Sequence, residues 1–268
     1  MIVAGAVVQG TGHLAAGRGC QDAFKAADLG GAVVLAVADG AGSRERSALG
    51  AHLAVDAACR VLAEGVPAAE DAPEVWTAWA AAGGARLVAE YLGAAQAVLG
   101  ATAGATAGEA ADVGALAATV AAAVVRPPWV AVVSVGDCFG TVLTRQAGAA
   151  ERCHLVMPPP APGGPGPVFL SSPGAALQVR TFVVWEPELS GVVLATDGCA
   201  ALSLDHPEVH GLPPEAGPVP ATRFFCGLAA TLRANGGDAE PLRALLSGPA
   251  AARTGDDLTV LCAVLDGW

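Results

Sequence analysis

The sequence predicts a layered α+β fold. Short valine-rich runs bounded by Gly, Pro or Asp are typical of strands, and long alanine-rich stretches are typical of helices. The helical stretches lie between groups of strand-like runs and do not alternate with single strands, which favours this fold over a parallel βαβ sheet. Hydrophobic residues form 53% of the 268-residue chain and charged residues 15%, so the chain can bury a large core.

The predicted strands and helices follow one another in separate groups. Strands are predicted for residues 2–8, 32–38, 116–125, 129–135, 139–143, 179–185, 191–196 and 258–265. Helices are predicted for residues 43–64, 73–99 and 221–246, the last with a break near Asn235. Ser43 is one candidate for the N-cap of the first helix, because serine side chains accept hydrogen bonds from helix N-termini, and a turn in this Asp- and Ser-rich approach is its alternative.

Two segments are predicted to be loops. Residues 100–113 are rich in Gly, Ala and Thr, and residues 158–167 are mostly Pro and Gly, which do not support regular structure. Neither segment separates halves of different pattern. We therefore expect residues 1–268 to form a single domain.

The charge balance limits the classes of partner. The formal net charge is −11, and no run of Lys or Arg stands out, so the sequence predicts no binding of nucleic acid. An acidic chain that handles phosphate would need a bound cation to hold the anion. The most apolar run, residues 113–125, is shorter than the roughly 20 residues that a membrane span needs. We therefore expect no membrane association.

The cysteines indicate a reducing compartment. They are scattered singly, without a C-x-x-C pair, at positions 20, 59, 138, 153, 199, 226 and 262. Buried, reduced thiols are the expected state of such residues. The N-terminus lacks the pattern of a signal peptide, so we expect a cytoplasmic protein.

Aspartates stand at one end of several predicted strands. Asp39 and Asp197 each follow a strand and precede a glycine, Asp137 follows Gly136, and Asp256 precedes the last strand. A turn can explain any one of them, because Asp-Gly is a common hairpin turn. The set of aspartates instead favours a carboxylate cluster, whose members repel one another unless a cation lies among them.

The residue types indicate the kind of cation. Oxygen-only ligands without Cys or His suit Mg²⁺ or Mn²⁺ and not zinc. The carbonyl of Gly40 can add a neutral oxygen, because glycine allows the backbone to approach a ligand closely. Two such ions about 3.5–4 Å apart can activate water and clamp a phosphoryl group.

The motifs that carry these aspartates resemble those of the metal-dependent type-2C serine/threonine protein phosphatases. In chain order the matching segments are HLAAGRGCQDAF, VVLAVADGAGSRERSALGA, LAATVAAAVV, VVSVGDCFGTVL, VVLATDG and TGDDLTVLCAVL. Together they span essentially the whole chain. His13, the Cys20-Gln21-Asp22 run and the DGAGS segment resemble a bacterial branch of the family in particular.

The resemblance implies a fold and a reaction. The fold is a four-layer α-β-β-α sandwich, with two antiparallel sheets flanked by helices in a single phosphatase domain. The reaction is hydrolysis of phosphoserine and phosphothreonine monoesters by a metal-activated water, without a phospho-enzyme intermediate. A phosphorylated protein is the implied substrate, a Ser/Thr kinase is the implied opposing enzyme in signalling, and we expect a monomer.

The resemblance also implies a set of metal ligands. Asp39 would bridge two tightly bound Mn²⁺ or Mg²⁺ ions. The Gly40 carbonyl would bind one ion, and Asp197 and Asp256 would bind the other. Asp137 would hold a weaker third ion together with Asp197.

Three further residues would act on water and phosphate. Asp22 would hold a metal-bound water from outside the ligand set. Arg18 is one candidate for gripping the phosphate, and a solvated loop arginine is its alternative. His13 competes for that role, and a purely structural histidine is its alternative.

The sequence departs from the family pattern at Gln21, Ala201 and Asp257. Gln21 replaces an acidic residue, Ala201 replaces an aspartate that supports the third ion, and Asp257 replaces an asparagine. Two other functions therefore remain open: a phosphatase-fold module that binds a phosphoprotein or regulatory partner without turnover, and a hydrolase for small phosphomonoesters. Retention of the repelling carboxylates argues against the first of these.

Overall fold

The computed structural model describes residues 1–102, 112–160 and 166–265. Its strands, β1 to β12 in chain order, are Ile2–Val8, Asp22–Asp28, Val33–Asp39, Val120–Arg126, Trp129–Val135, Phe139–Thr144, Arg152–Met157, Arg180–Trp185, Leu189–Ala195, Leu204–Asp205, Val219–Pro220 and Leu258–Val264. Its helices, α1 to α6, are Thr11–Ala15, Ser47–Ala63, Pro73–Thr102, Ala200–Ser203, Thr222–Ala234 and Glu240–Leu246.

The long strands form two antiparallel sheets. Sheet I has the strand order β2-β3-β4-β5-β8, and sheet II has the order β1-β12-β9-β6-β7. The short strands β10 and β11 pair only with each other. Sequentially distant strands, such as β1 and β12, lie side by side in sheet II, so the N-terminal and C-terminal parts of the chain share one sheet.

The two sheets pack face to face and carry helices on their outer faces. Along β3, Val34 and Ala36 pack in a cluster with α2 and α3, whereas Val33 and Leu35 pack between the sheets. A third cluster joins sheet II to α5 and α6. Because alternate residues of a strand point to opposite faces, buried β3 can serve both layers. The predicted four-layer α-β-β-α sandwich is confirmed.

Besides the two-residue strands β10 and β11, the pattern did not predict β2 and β7, which lie at sheet edges. β2 ends sheet I and β7 ends sheet II. Several residues of each are exposed or only partly buried, so they lack the valine-rich runs of the central strands. The prediction missed them because an edge strand needs less apolar surface than a strand buried on both faces.

The start of the first long helix was predicted wrongly. α2 begins at Ser47 with Arg46 as its N-cap, not at Ser43. The Ser47 hydroxyl donates a hydrogen bond to the Arg44 carbonyl (3.0 Å), which belongs to the turn before the helix. The predicted strand 116–125 also begins later, at Val120, because residues 113–116 form a 3₁₀ turn.

The predicted loops lie largely beyond the described residues. Residues 103–111 of the first and 161–165 of the second lie outside the described ranges, and α3 extends to Thr102. Among the helices that are described, none combines the length and apolar character needed to cross a membrane.

Candidate metal centre

The aspartates converge because their strands end at the same end of the sandwich. In sheet I, Asp22 at the start of β2 pairs with Asp39 at the end of β3. In sheet II, β9 and β12 are antiparallel, so Asp197 after β9 and Asp256 before β12 lie at one end. Asp137 lies in the connection by which the chain leaves β5 in sheet I and enters β6 in sheet II.

The tightest carboxylate group consists of Asp39, Asp137 and Asp197. One oxygen from each lies within 4.8 Å of the other two, and all three side chains are partly buried. One buried oxygen, Oδ1 of Asp137, has no hydrogen-bond partner. Hard oxygen donors, one of them unpartnered, are the set that a small divalent cation requires, so these residues fit a metal ion.

The electrostatics of the group lead to the same conclusion. Burial, followed by repulsion from Asp22, Asp197 and other carboxylates, raises the pKa of Asp39 to about 10. Burial and the charges of Asp137 and Asp256 raise the pKa of Asp197 to about 6. Without a cation, these carboxylates therefore cannot all carry their charge at neutral pH at low energetic cost.

A glycine turn places Asp137 in the group. Gly136 has φ +100°, and an added Cβ would lie 2.4 Å from Thr119 Cγ2. Only glycine adopts this conformation readily in so little space. Thr119 in turn donates its backbone N–H to the Asp39 carbonyl (2.8 Å), so the turn packs against the end of β3.

The pairing around Gly40 leaves its carbonyl available. Gly40 forms an isolated antiparallel β-bridge with Ala118. The two backbone hydrogen bonds of this β-bridge run from Ala41 N to Ala117 O and from Thr119 N to Asp39 O. The Gly40 N–H instead donates to the Gln21 carbonyl (3.0 Å). These backbone hydrogen bonds therefore do not use the Gly40 carbonyl, which lies beside the carboxylates.

Asp22 is held in place by two hydroxyl groups. Its Oδ2 accepts hydrogen bonds from Thr196 Oγ1 and from Thr259 Oγ1, each at 2.7 Å. Burial raises the pKa of Asp22 to about 7, although the two hydroxyl groups oppose the shift. The sequence analysis did not identify either threonine. The feature that could have identified them is a hydroxyl residue at the end of an otherwise apolar strand.

Asp256 lies beside the group but outside its tightest part. Its side chain is 45% exposed, and its Oδ1 accepts a hydrogen bond from the Asp257 N–H (2.9 Å). Its charge contributes to the raised pKa of both Asp39 and Asp197, which places it close to them.

Asp257 joins the N-terminal loop to the last strand. It is 1% exposed, and its two oxygens accept hydrogen bonds from Gly10 N (2.7 Å) and Gln21 N (2.6 Å). His13 Nδ1 lies 2.9 Å from Asp257 Oδ2 without the alignment of a hydrogen bond. From the sequence, Asp257 was recognised only as a replacement for the family's asparagine, and its hydrogen bonds to the N-terminal loop were not expected.

The two candidate phosphate-binding residues both lie in the connection between β1 and β2. His13 Nε2 is 3.9 Å from Asp256 Oδ1, at the edge of the carboxylates. Arg18 instead donates from Nη1 to the carbonyl of Gly42 (2.6 Å), in the loop that follows β3. An added Cβ at Gly42 would lie within 4.0 Å of both side chains, so the two residues flank the same short loop.

Arg180 is a cation at the site that the sequence did not indicate. It donates from Nη2 to the Gly136 carbonyl (2.9 Å) and from Nη1 to the Pro158 carbonyl (2.7 Å). Its positive charge opposes the effect of burial on the pKa of Asp137. It reaches the turn because Ser134 and Arg180 are paired across β5 and β8, and no local pattern reveals that pairing.

A sequence model of the protein phosphatase 2C family matches residues 9–247. A sequence search among curated proteins finds no significant match.

Solved structures of phosphatases share the fold over nearly the whole chain. A point mutant of a bacterial serine phosphatase is 13% identical, with a TM-score of 0.61 and coverage of 100% of this chain and 99% of that one. The serine/threonine phosphatase Stp1 from Staphylococcus aureus is 12% identical, with a TM-score of 0.57 and coverage of 100% and 96%. Serine-threonine phosphatase 2C from Toxoplasma gondii is 14% identical, with a TM-score of 0.51 and coverage of 96% and 93%.

Proposed function

The chain belongs to the protein phosphatase 2C family, and from that premise we propose that the aspartate cluster is the metal centre of its protein serine/threonine phosphatase activity. The observation that carries this proposal is the convergence of Asp39, Asp137 and Asp197 within 4.8 Å in a partly buried place. Such repelling carboxylates have no structural use without a cation. The three side chains are only partly buried, so a phosphorylated side chain would approach the cluster from solvent.

We propose that the centre holds two Mn²⁺ or Mg²⁺ ions tightly and a third ion more weakly. Asp39 would bridge the tight pair, with the Gly40 carbonyl on one ion and Asp197 and Asp256 on the other. Asp137 would serve the third ion. When bound, the ions would supply an activated water and neutralise charge on the phosphoryl group. The availability of the Gly40 carbonyl and the oxygen-only donor set support this assignment.

The chain's own groups would orient the reacting atoms. Asp22, fixed by the hydroxyl groups of Thr196 and Thr259, would hold a water at the cluster through its remaining oxygen. Arg18 and His13 would hold the phosphate, because both side chains lie against Gly42 and His13 lies at the edge of the carboxylates. A cationic side chain such as Arg18 would help to hold an anion in a chain whose formal net charge is −11.

We propose that the substrate is a phosphorylated protein and that a Ser/Thr kinase acts in opposition. One domain over residues 1–268, a monomeric state and a cytoplasmic location are parts of the same proposal. The continuous core between the two sheets supports the single domain. The free thiols at all seven cysteines support a reducing compartment.

Activity should depend on Mn²⁺ or Mg²⁺. We expect chelation to abolish hydrolysis of both an aryl phosphate and a phosphothreonine peptide, and either ion to restore it. Zinc should restore little activity, because the donors are all hard oxygens. The melting temperature of the chelated protein shows whether it remains folded during the assay. Full activity in chelator would remove the metal mechanism.

The Asp137→Ala variant should slow turnover while sparing the two tight ions. The physical reason is that Arg180, which donates to the Gly136 carbonyl, already provides Asp137 with a positive charge. Isothermal titration calorimetry with Mn²⁺ and turnover of an aryl phosphate measure the two effects separately. Loss of both tight ions in this variant would show that Asp137 belongs to the tight sites.

A further inference from the structure

A cleft of about 270 Å³ opens beside the carboxylate cluster, between the N-terminal loop and the loop that follows β3. Its lining includes Arg18, Gln21, Gly42, Arg44 and Glu45. The cleft adjoins the carboxylates through His13, whose Nε2 lies 3.8 Å from a Cβ added at Gly42 and 3.9 Å from Asp256 Oδ1. A substrate whose phosphate lies at the cluster would therefore bring its neighbouring residues to this cleft.

Gln21 has an unused acceptor at the wall of the cleft. Its side chain is 8% exposed, and its Oε1 is buried without a hydrogen-bond partner. Its Nε2 donates to Ser47 Oγ (2.8 Å), and that hydroxyl donates onward to a carbonyl, so the amide is fixed in orientation. An added Cβ at Gly42 would lie 3.6 Å from Oε1, so this oxygen faces the side of the cleft that Gly42 forms.

A buried carbonyl oxygen without a donor is unfavourable unless a ligand supplies one. The main-chain N–H of an extended peptide is a donor of the right kind. An inorganic phosphate or a small phosphomonoester without N–H groups would leave Gln21 Oε1 without its partner. The cleft therefore favours a substrate in which a peptide main chain continues beside the phosphorylated residue.

The charges at the cleft indicate which peptide. Arg44 is exposed, and within the described residues its guanidinium has no ion-pair partner. Arg18 is held at the cleft by its bond to the Gly42 carbonyl. Two arginines close together are notable in a chain of net charge −11. Glu45 also lines the cleft, and its negative charge would direct an anion toward Arg44.

We infer that this cleft selects phosphopeptides with an acidic residue next to the phosphorylated one. Gln21 would accept a main-chain N–H of the peptide, and Arg44 would pair with the acidic side chain. This inference rests on the proposed phosphatase function and names its substrate class, which is acidic phosphopeptides.

The test compares matched phosphothreonine peptides with Asp, Ala or Lys on either side of the phosphorylated residue. We expect kcat/KM with Mn²⁺ to be about fivefold higher for the Asp peptide than for the Ala peptide, the scale of one exposed ion pair. Arg44→Glu should reverse the order and favour the Lys peptide. Glu45→Gln is the matched variant, because it removes a negative charge from the same cleft, and it should increase the preference for the Asp peptide. Each rate is divided by that of an aryl phosphate, which measures the metal centre.

An Asp-to-Ala ratio that is the same in the wild type and in Arg44→Glu would overturn the inference, whatever the absolute rates. The same peptides carrying a non-hydrolysable phosphonate give dissociation constants by fluorescence anisotropy, and these should follow the same order. If the wild type hydrolyses no phosphopeptide with Mn²⁺ or Mg²⁺, the proposed function fails. The anisotropy ratios then still decide whether the cleft selects acidic peptides.

Discussion

Asp39→Asn is expected to lower turnover by at least about a hundredfold and to weaken the binding of metal sharply. Asp39 lies within 4.8 Å of both other members of the cluster, so its charge is central to any ion held there. Asparagine keeps the volume and the hydrogen-bonding capacity but removes that charge. Mn²⁺ titration and the hydrolysis rate of an aryl phosphate measure the two effects.

The matched control is Asp28→Asn, at the other end of the same pair of strands. Asp28 accepts a hydrogen bond from Gly30 N (2.8 Å) in the turn between β2 and β3. Asparagine serves turns as well as aspartate does, so this variant should keep nearly normal turnover. If Asp39→Asn behaved like Asp28→Asn, Asp39 would be a turn residue and the metal centre would be assigned wrongly.

The metal-free stability of the same variant gives an independent readout. Burial and mutual repulsion raise the pKa of Asp39 to about 10, of Asp22 to about 7 and of Asp197 to about 6, all above the ordinary value of 3.8. The folded state therefore binds protons that the unfolded state releases, and stability is lost as the pH rises through the folded values. We expect the melting temperature without metal to fall between pH 5 and pH 9, and to fall less in Asp39→Asn.

Gly198→Ala is expected to reduce both stability and activity. An added Cβ would lie 2.0 Å from the Asp257 carbonyl oxygen and 3.3 Å from Asp256 Cβ. Because the closest atom is backbone, the segments that carry Asp197 and Asp256 must separate. Overpacking of this kind costs about 3 kcal/mol, or a decrease in melting temperature of roughly 10 °C. A displacement of catalytic groups by about 1 Å can reduce turnover about a hundredfold.

Gly227→Ala is the matched control for Gly198→Ala. Gly227 is exposed on α5, and an added Cβ there meets nothing within 4 Å. Since alanine is the better helix former, this variant should be more stable by about 1 kcal/mol, with unchanged turnover. Thermal denaturation and aryl phosphate hydrolysis apply to both variants. A Gly198→Ala protein with the stability and rate of the wild type would show that the two segments can move apart freely.

The sequence by itself determined the central strands and the positions of the aspartates. β3, β5 and β12 are buried on both faces, so their residues form continuous apolar runs that local pattern detects. Asp39 and Asp197 stand out because each ends such a run beside a glycine. The order of these motifs along the chain was sufficient to indicate the family and its layered fold.

Only the tertiary structure decided which side chains support the aspartates. The Asp22 carboxylate is bound by Thr196, 174 residues away, and by Thr259, 237 residues away. Arg180 reaches Gly136 through the pairing of β5 with β8, and Asp257 reaches Gly10 across almost the whole chain. The local sequence indicates whether a residue is buried and whether the backbone forms a turn at that position. Contacts between distant residues depend on sheet register and on the packing of one sheet against the other, which no local pattern contains.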